Sequence, residues 1–230
     1  YDCVAYGSYL ELVRSDEVDA LYIPLPNALH YKWVMEALQA GKHVLCEKSL
    51  GCSHGETLEM VELARSKGLA LIENFQFRFH SQLEELKKLL GLGGVPSAVG
   101  EIRTIRCSFG FPPFGDKSNI RYSKELGGGA LLDAGAYVLK IATILLGDSV
   151  KVESATLSGD DETGVDIHGS GFLRDPKTGV SAHVAFGFDH FYQCGVEVWG
   201  SKGRLRTNRL FTARADYTPI FELETAEAGL

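Results

Sequence analysis

Three short apolar runs, alternating with helical stretches that stop at glycines, constrain this chain more than any other feature. The runs are Asp19–Leu25 (DALYIPL), His43–Cys46 (HVLC) and Leu69–Ile72. Between them lie two helical patterns, Ala28–Ala40 stopped by Gly41 and Ser53–Lys67 stopped by Gly68. A glycine just past the last turn supplies the left-handed residue that ends a helix. The first pattern sets Trp33, Ala37 and Ala40 on one face; the second carries Leu58, Val61, Leu63 and Ala64. A shorter helix is predicted over Ser8–Ser15. Short, fully apolar strands separated by helices indicate a parallel sheet covered on both faces. That reading applies to residues 18–73.

The pattern then changes. Ser81–Leu90 reads as one more helix, followed by the flexible Gly91-Leu-Gly-Gly94. From Val99 to Phe109 apolar Ile105, Cys107 and Phe109 alternate with Thr104, Arg106 and Ser108, the period of a half-buried strand. A Pro/Gly-rich loop spans Gly110–Asn119, and Gly129–Leu146 reads as a helix ended by Gly147. Between Lys151 and Thr207, strand-like runs are broken by turn signals such as Asp175-Pro176, the mark of a mostly antiparallel sheet. The chain therefore divides between residues 75 and 98 into a parallel α/β part and an α+β part.

Composition narrows the classes. The 45% hydrophobic content of the 230 residues is too high for a disordered chain. Thirty acidic residues against 23 Lys and Arg give a net charge of −7, which argues against a nucleic-acid or anionic-membrane partner. No apolar run is expected to approach the roughly 20 residues that span a bilayer. The cysteines, 3, 46, 52, 107 and 194, form no C-x-x-C pair, so a metal ribbon is not expected and a reducing cytoplasm is. The start has no basic segment leading into an apolar core, so no signal peptide is predicted.

In open parallel sheets ligands bind beyond the carboxyl ends of the strands. Here the three ends carry Pro26-Asn27, with His30 one helical turn on, then Glu47-Lys48, then Glu73-Asn74. A second cluster lies in Gly127-Gly128-Gly129 and the following Asp133 and Tyr137, spaced to share one helical face. Three glycines before a helix would expose amides to an anion; the plainer reading is a loop before a helix whose Tyr packs in the core. Arg78 and His80 follow the third strand, placed either to reach a substrate phosphate or to begin a solvated helix. The seven histidines show no metal-binding spacing.

Four stretches together resemble the Gfo/Idh/MocA family of NAD(P)-dependent sugar and polyol oxidoreductases. They are VDALYIPLPNALH, GKHVLCEKSL, Asn119-Ile-Arg121 and GGGALLDAGAY, similar to that family's Glu-Lys-Pro, N-x-R and G-G-G-x-x-x-D-x-G-x-H/Y motifs. The resemblance implies a fold of class α/β: a partial Rossmann parallel sheet followed by an α+β domain with an open, mostly antiparallel sheet. Residues 1–75 would be the C-terminal half of the dinucleotide domain, and 76–230 the substrate-binding and oligomerisation domain. It implies NAD or NADP as cofactor and a sugar, nucleotide-sugar or cyclic polyol as substrate. Lys48 and Tyr137 would be catalytic. Pro26, Asn27, His30, Glu47, Lys48, Asn74 and Arg121 would meet the cofactor. Lys48, Arg78, Asp133 and Tyr137 would meet the substrate. A cationic Lys48 beside the reacting oxygen would stabilise its developing charge, and would also lower the pKa of a neighbouring Tyr137. A homo-oligomer is expected, because a bare apolar face on the second sheet would need covering.

Two departures qualify the resemblance. Ser49 stands where the family motif has proline, which removes a φ constraint beside Lys48. The G-x-G-x-x-G phosphate-binding fingerprint is missing from the sequence. Tyr1 would enter the family pattern roughly sixty residues late, judged from the size of βα units. The expected explanation is a fragment of a longer protein whose start binds the cofactor. The alternative is a non-catalytic member acting as a ligand sensor or interaction subunit.

Overall fold

The computed structural model describes residues 3–226. Its first sheet has the parallel order β1 (Ala20–Ile23), β2 (His43–Glu47) and β3 (Leu71–Asn74). Ala20 is in register with His43, and Val44 with Leu71. The connections are α2 (Asn27–Gln39) and α3 (His54–Lys67), preceded by α1 (Tyr9–Arg14). Local chemistry sets the ends of α3: the Ser53 hydroxyl accepts from the Glu56 N–H, and Gly68 closes it at φ +66°.

The expectation that this sheet is covered on both faces is not met. Strands taken in sequential order and joined by right-handed crossovers carry all their helices on one side, and α2 and α3 pack against each other. Leu21, Ile23, Val44 and Cys46 point into that side. Among the described residues the opposite face is open, with Tyr22 54% and Ile72 46% exposed. The buried stripe of α2 is His30, Val34, Ala37 and Leu38, rather than the one through Trp33 and Ala40. Ala40 lies past the last turn in solvent, and Trp33 is half-buried against Tyr9, rings 5.0 Å apart. In α3 the buried residues are Met60 and Ala64, while Leu58 is exposed.

The second sheet has seven strands: β4 (Ile102–Gly110), β5 (Lys151–Gly159), β6 (Asp166–Arg174), β7 (Ser181–Gly187), β8 (Gln193–Gly200), β9 (Gly203–Asn208) and β10 (Phe221–Thr225). Their order is β10-β9-β8-β4-β7-β6-β5, and only β4 with β7 is a parallel pair. The edge strand β10 falls outside the predicted strand region. Its acidic residues lie opposite basic ones, with Glu224 in register with Arg204 and Glu222 with Arg206. Ile105, Cys107, Val184, Phe186, Val196, Val198 and Leu205 point to the inner face. There α5 (Ala136–Leu146) covers β4 and β7 with Val138, Ile141, Ala142 and Leu145. The helix α4 (Ser81–Leu89) adds Leu83 and Leu86, and its Gln82 side-chain amide donates 2.8 Å bonds to Thr207 Oγ1 and the Asn208 carbonyl.

The outer face of this sheet is not the bare apolar surface expected. A shallow concavity of about 640 Å³ lies there, lined by Arg106, Ser154, His183, Glu197 and Arg206 among others. The alternation seen in β4 extends across the sheet, so Arg106, His183, Glu197 and Arg206 face out, together with the rings of Phe172 and Trp199. The stretch Lys124–Leu146 is long and apolar enough to cross a membrane by length and composition alone, but it is interrupted at Gly127–Gly129 and carries Asp133 and Lys140. In this structure it is where α5 packs on the sheet.

Two hydrophobic cores result. One gathers residues from Val13 to Ala64 under the first sheet; the other runs from Phe75 to Phe211 under the second.

Candidate active site

The carboxyl ends of the first sheet form one wall. Tyr22, Glu47 and Asn74 share the open face of β1, β2 and β3, with Glu47 in register with Asn74 and Tyr22 one residue pair back. Glu47 Oε1 accepts from Tyr22 Oη at 2.6 Å and from Asn74 Nδ2 at 2.7 Å. The carboxylate bond, with burial adding to it, raises the Tyr22 phenol above its ordinary pKa. Tyr22 was missed in the sequence reading; strand alternation against buried Leu21 and Ile23 was the available signal. Glu73 faces elsewhere, accepting from the Leu50 N–H at 3.0 Å and pairing with Lys140 at 3.4 Å.

The opposite wall is built on the Gly127–Tyr137 segment. Leu131–Gly135 forms a π-helical turn that runs directly into α5. It places Asp133 against Lys48, whose ammonium lies 2.6 Å from Asp133 Oδ1 and 3.2 Å from the Asp133 carbonyl oxygen. Arg121 Nε lies 2.6 Å from Asp133 Oδ2. One carboxylate thus holds two cations, and its side chain is only 15% exposed. Burial alone would raise its pKa, but Lys48 and Arg121 outweigh that and hold it below the usual value.

Lys48 also stands 4.9 Å from the centroid of the Tyr137 ring. That ring packs against Phe75, Phe77, Phe109 and Phe211, with centroid separations between 5.2 and 6.0 Å. The expected lowering of the Tyr137 pKa by Lys48 does not occur. Burial in this aromatic cluster pushes the phenol up to about 12, and the charges of Asp133 and Glu47 push the same way. The charge of Lys48 is compensated by Asp133 at 2.6 Å.

The three glycines do not form an anion cradle. The Gly127, Gly128 and Gly129 amides donate to the carbonyls of Lys124, Ser123 and Arg121. Glycine is required there for other reasons. Gly127 and Gly129 have φ of +72° and +109°, and a Cβ on Gly128 would fall 2.4 Å from the Arg121 carbonyl oxygen. The loop is wound tightly on itself and so aims Arg121 at Asp133.

Of the other residues singled out, Pro26 caps α2 and Asn27 begins it. Asn27 Nδ2 donates to the Gly127 carbonyl at 2.9 Å, a bond between the two walls. His30 does not line the cleft as expected for a cofactor contact. It is fully buried, with its two ring nitrogens each 2.7 Å from a backbone carbonyl oxygen, that of Ser49 and that of Leu25. Arg78 is exposed in the 3-10 turn Gln76–Phe79, its guanidinium without a hydrogen bond or ion pair among the described residues. His80 Nδ1 accepts from the Gln82 N–H and caps α4, so for His80 the helix-start reading holds. Among the described residues no cluster of His, Cys, Asp and Glu could hold a metal ion.

A parallel αβ wall and an α+β wall thus meet at a lysine, an aspartate and a tyrosine, the layout of a two-part Rossmann-type enzyme with its site between the parts. Comparison with known proteins agrees. Residues 1–75 match the model described as oxidoreductase family, NAD-binding Rossmann fold, and residues 96–206 match the GFO/IDH/MocA C-terminal domain. The chain belongs to the Gfo/Idh/MocA family. It is 42% identical over 224 residues, 97% of its length, to a dTDP-3,4-didehydro-2,6-dideoxy-alpha-D-glucose 3-reductase of Streptomyces violaceoruber. It spans 64% of that relative's length, and 68% of a Streptomyces antibioticus relative of the same description, at 37% identity. Among solved structures, the 3-ketoreductase KijD10 from Actinomadura kijaniata, in complex with NADP and TDP-benzene, superposes with a TM-score of 0.88 at 39% identity. That match covers 95% of this chain and 65% of the other.

Proposed function

We propose that this chain carries the catalytic cleft of an NADP(H)-dependent reductase that acts on a keto group of a nucleotide-linked deoxy sugar. The single observation that carries the reading is the convergence of Lys48, Asp133 and Tyr137 from the two walls. The relatives named above supply the substrate class.

The cleft fits a nicotinamide nucleotide on the ribose side. Glu47 takes two donors on Oε1, leaving Oε2 with no bond among the described residues and able to accept from ribose hydroxyls. Glu47, Asn74, Pro26, Asn27 and Arg121 would hold that side; His30 acts behind the wall. The bound cofactor supplies the hydride. This chain's own residues do the rest. At neutral pH a phenol raised to about 12 keeps its proton, so Tyr137 is the acid that protonates the carbonyl oxygen as negative charge builds there. Lys48 stabilises the same charge. Asp133 keeps Lys48 and Arg121 in place and positions substrate. Arg78, an uncommitted cation on the turn that packs Phe77 against Tyr137, meets the diphosphate of the nucleotide.

The same proposal divides the chain into a Rossmann part, 1–75, and an α+β part, 76–230. It also places the protein in a reducing cytoplasm, in keeping with free thiols at all five cysteines. It assigns the concave outer face of the second sheet to a homo-oligomer contact. The test is NADPH oxidation by the full protein with nucleotide-linked 3-keto sugars. Turnover that Lys48→Ala abolishes supports the reading; no turnover with any keto sugar, or full activity in Lys48→Ala, overturns it.

A further inference from the structure

The residue after Lys48 lies past the end of β2. Ser49 is 9% exposed, and both of its polar oxygens are engaged. Its hydroxyl donates to the Leu132 carbonyl at 3.0 Å, inside the π-helical turn of the opposite wall. Its carbonyl oxygen lies 2.7 Å from Nδ1 of the buried His30, whose Nε2 reaches the Leu25 carbonyl. The chain of contacts therefore runs from the end of β1, through the His30 ring and Ser49, to the residue immediately before Asp133. It parallels the Lys48–Asp133 pair but is more deeply buried, and it does not touch the reacting groups. A side-chain donor directed at a turn carbonyl fixes that turn where a mobile water would not.

We propose that Ser49 is a positioning residue: its hydroxyl pins the π-helical turn against the first sheet and so sets the spacing of Lys48 from Asp133 and Tyr137. Without it, the two walls are joined near the site by Asn27–Gly127 at the loop, by the Glu73–Lys140 pair, and by the bonds of Lys48 to Asp133 themselves. The ion pair is the contact an incoming substrate oxygen competes with. The Ser49 bond persists when substrate loosens the pair, which keeps Tyr137 within reach of the oxygen that Lys48 holds.

The proposal rests on the catalytic reading above, and the test separates the two. Ser49→Ala deletes the hydroxyl; Ser49→Thr keeps it. In the full protein Ser49→Ala is expected to lower kcat about tenfold, the effect of one lost hydrogen bond, with KM for NADPH and keto sugar within about twofold. Ser49→Thr is expected to restore kcat. Hydrogen exchange gives a readout that needs no turnover. The amides of Leu131–Tyr137 should exchange about tenfold faster in Ser49→Ala, with those of β7 and β8 unchanged. An alanine variant with wild-type kcat, or with wild-type exchange over Leu131–Tyr137, overturns the proposal. A general rise in exchange that includes β7 and β8 also overturns it, since Ser49 would then support the fold as a whole. If the wild-type protein turns over no keto sugar, the functional reading falls, and the exchange result alone decides the tether.

Discussion

Asp133 binds Lys48 at 2.6 Å through one carboxylate oxygen and Arg121 at 2.6 Å through the other, so the lysine facing Tyr137 is already paired with a carboxylate. Burial in the aromatic cluster raises the phenol, and a lysine paired in this way does not offset it. A cation 4.9 Å from a ring can favour the phenolate only if its charge is not compensated closer by, and here it is. In the proposed reaction Tyr137 is therefore the proton donor. Tyr137→Phe removes the proton but keeps the ring that packs on Phe75, Phe109 and Phe211. Turnover should fall by about 10²–10⁴-fold, the usual value of a positioned general acid. Thermal unfolding should show little change in Tm, in contrast to Tyr137→Ala, which empties an aromatic cluster and should lose about 3–5 kcal/mol.

Lys48→Met tests the other member. The Asp133 carboxylate keeps Arg121 but loses its closer-buried partner, the Lys48 side chain being 13% exposed. A half-compensated, largely buried carboxylate should destabilise the protein by about 1–3 kcal/mol in urea unfolding. Asp133→Asn in the same background should recover part of that loss, because the uncompensated charge is gone. A double-mutant cycle in which the two changes simply add would show that the pair is not coupled.

The pKa shifts fix the sign of two pH effects. Asp133 is held below the ordinary carboxyl value, so its contribution to stability is present above about pH 4, the unfolded value, and is lost as pH falls through the folded one. Asp133→Asn should flatten the acid side of the stability profile. Tyr137 is raised to about 12. Its contribution is complete below about pH 10 and is lost as pH rises towards the folded value, about 2–3 kcal/mol for a shift of this size. Tyr137→Phe should remove that alkaline loss, measured as urea midpoints between pH 9 and 12.

Much of this was legible in the residues. Short apolar runs and glycine stops gave the parallel unit, and the alternation from Ile105 to Phe109 gave the second sheet. Lys48, Asp133 and Tyr137 stood out because they follow a strand end and a glycine loop. What could not be read were properties set by partners distant in the chain. The open face beside Tyr22 depends on which side each crossover helix takes, and four-residue apolar strands look alike whether one face or two are covered. The pKa of Tyr137 depends on Phe75 and Phe211, brought to it by the fold. His30 lies one turn after a strand end, as a ligand contact would, yet its ring turns inward to two carbonyls. The edge strand β10 is too short and too charged to show an apolar pattern, and its register depends on Arg204 and Arg206 of β9.

The glycine loop offers the last test, because the sequence left it two readings, an anion cradle or a loop before a helix, and the structure supports the second. An anion cradle would tolerate Gly128→Ala, since the amide remains. In this structure the added Cβ would lie 2.4 Å from the Arg121 carbonyl oxygen and 2.8 Å from that of Ser123, both backbone atoms that cannot swing away. The loop must open, and the Gly129–Arg121 backbone bond and the aim of the guanidinium open with it. Gly128→Ala should therefore cost about 1–3 kcal/mol of stability, as overpacking does, and lower kcat more than it raises KM for the nucleotide. Gly115→Ala, in the preceding loop where a Cβ meets nothing within 4 Å, is the matched control and should leave both unchanged. If Gly128→Ala instead kept kcat and stability while weakening phosphate-dependent binding, the amides rather than the tight winding would be what the glycines are for.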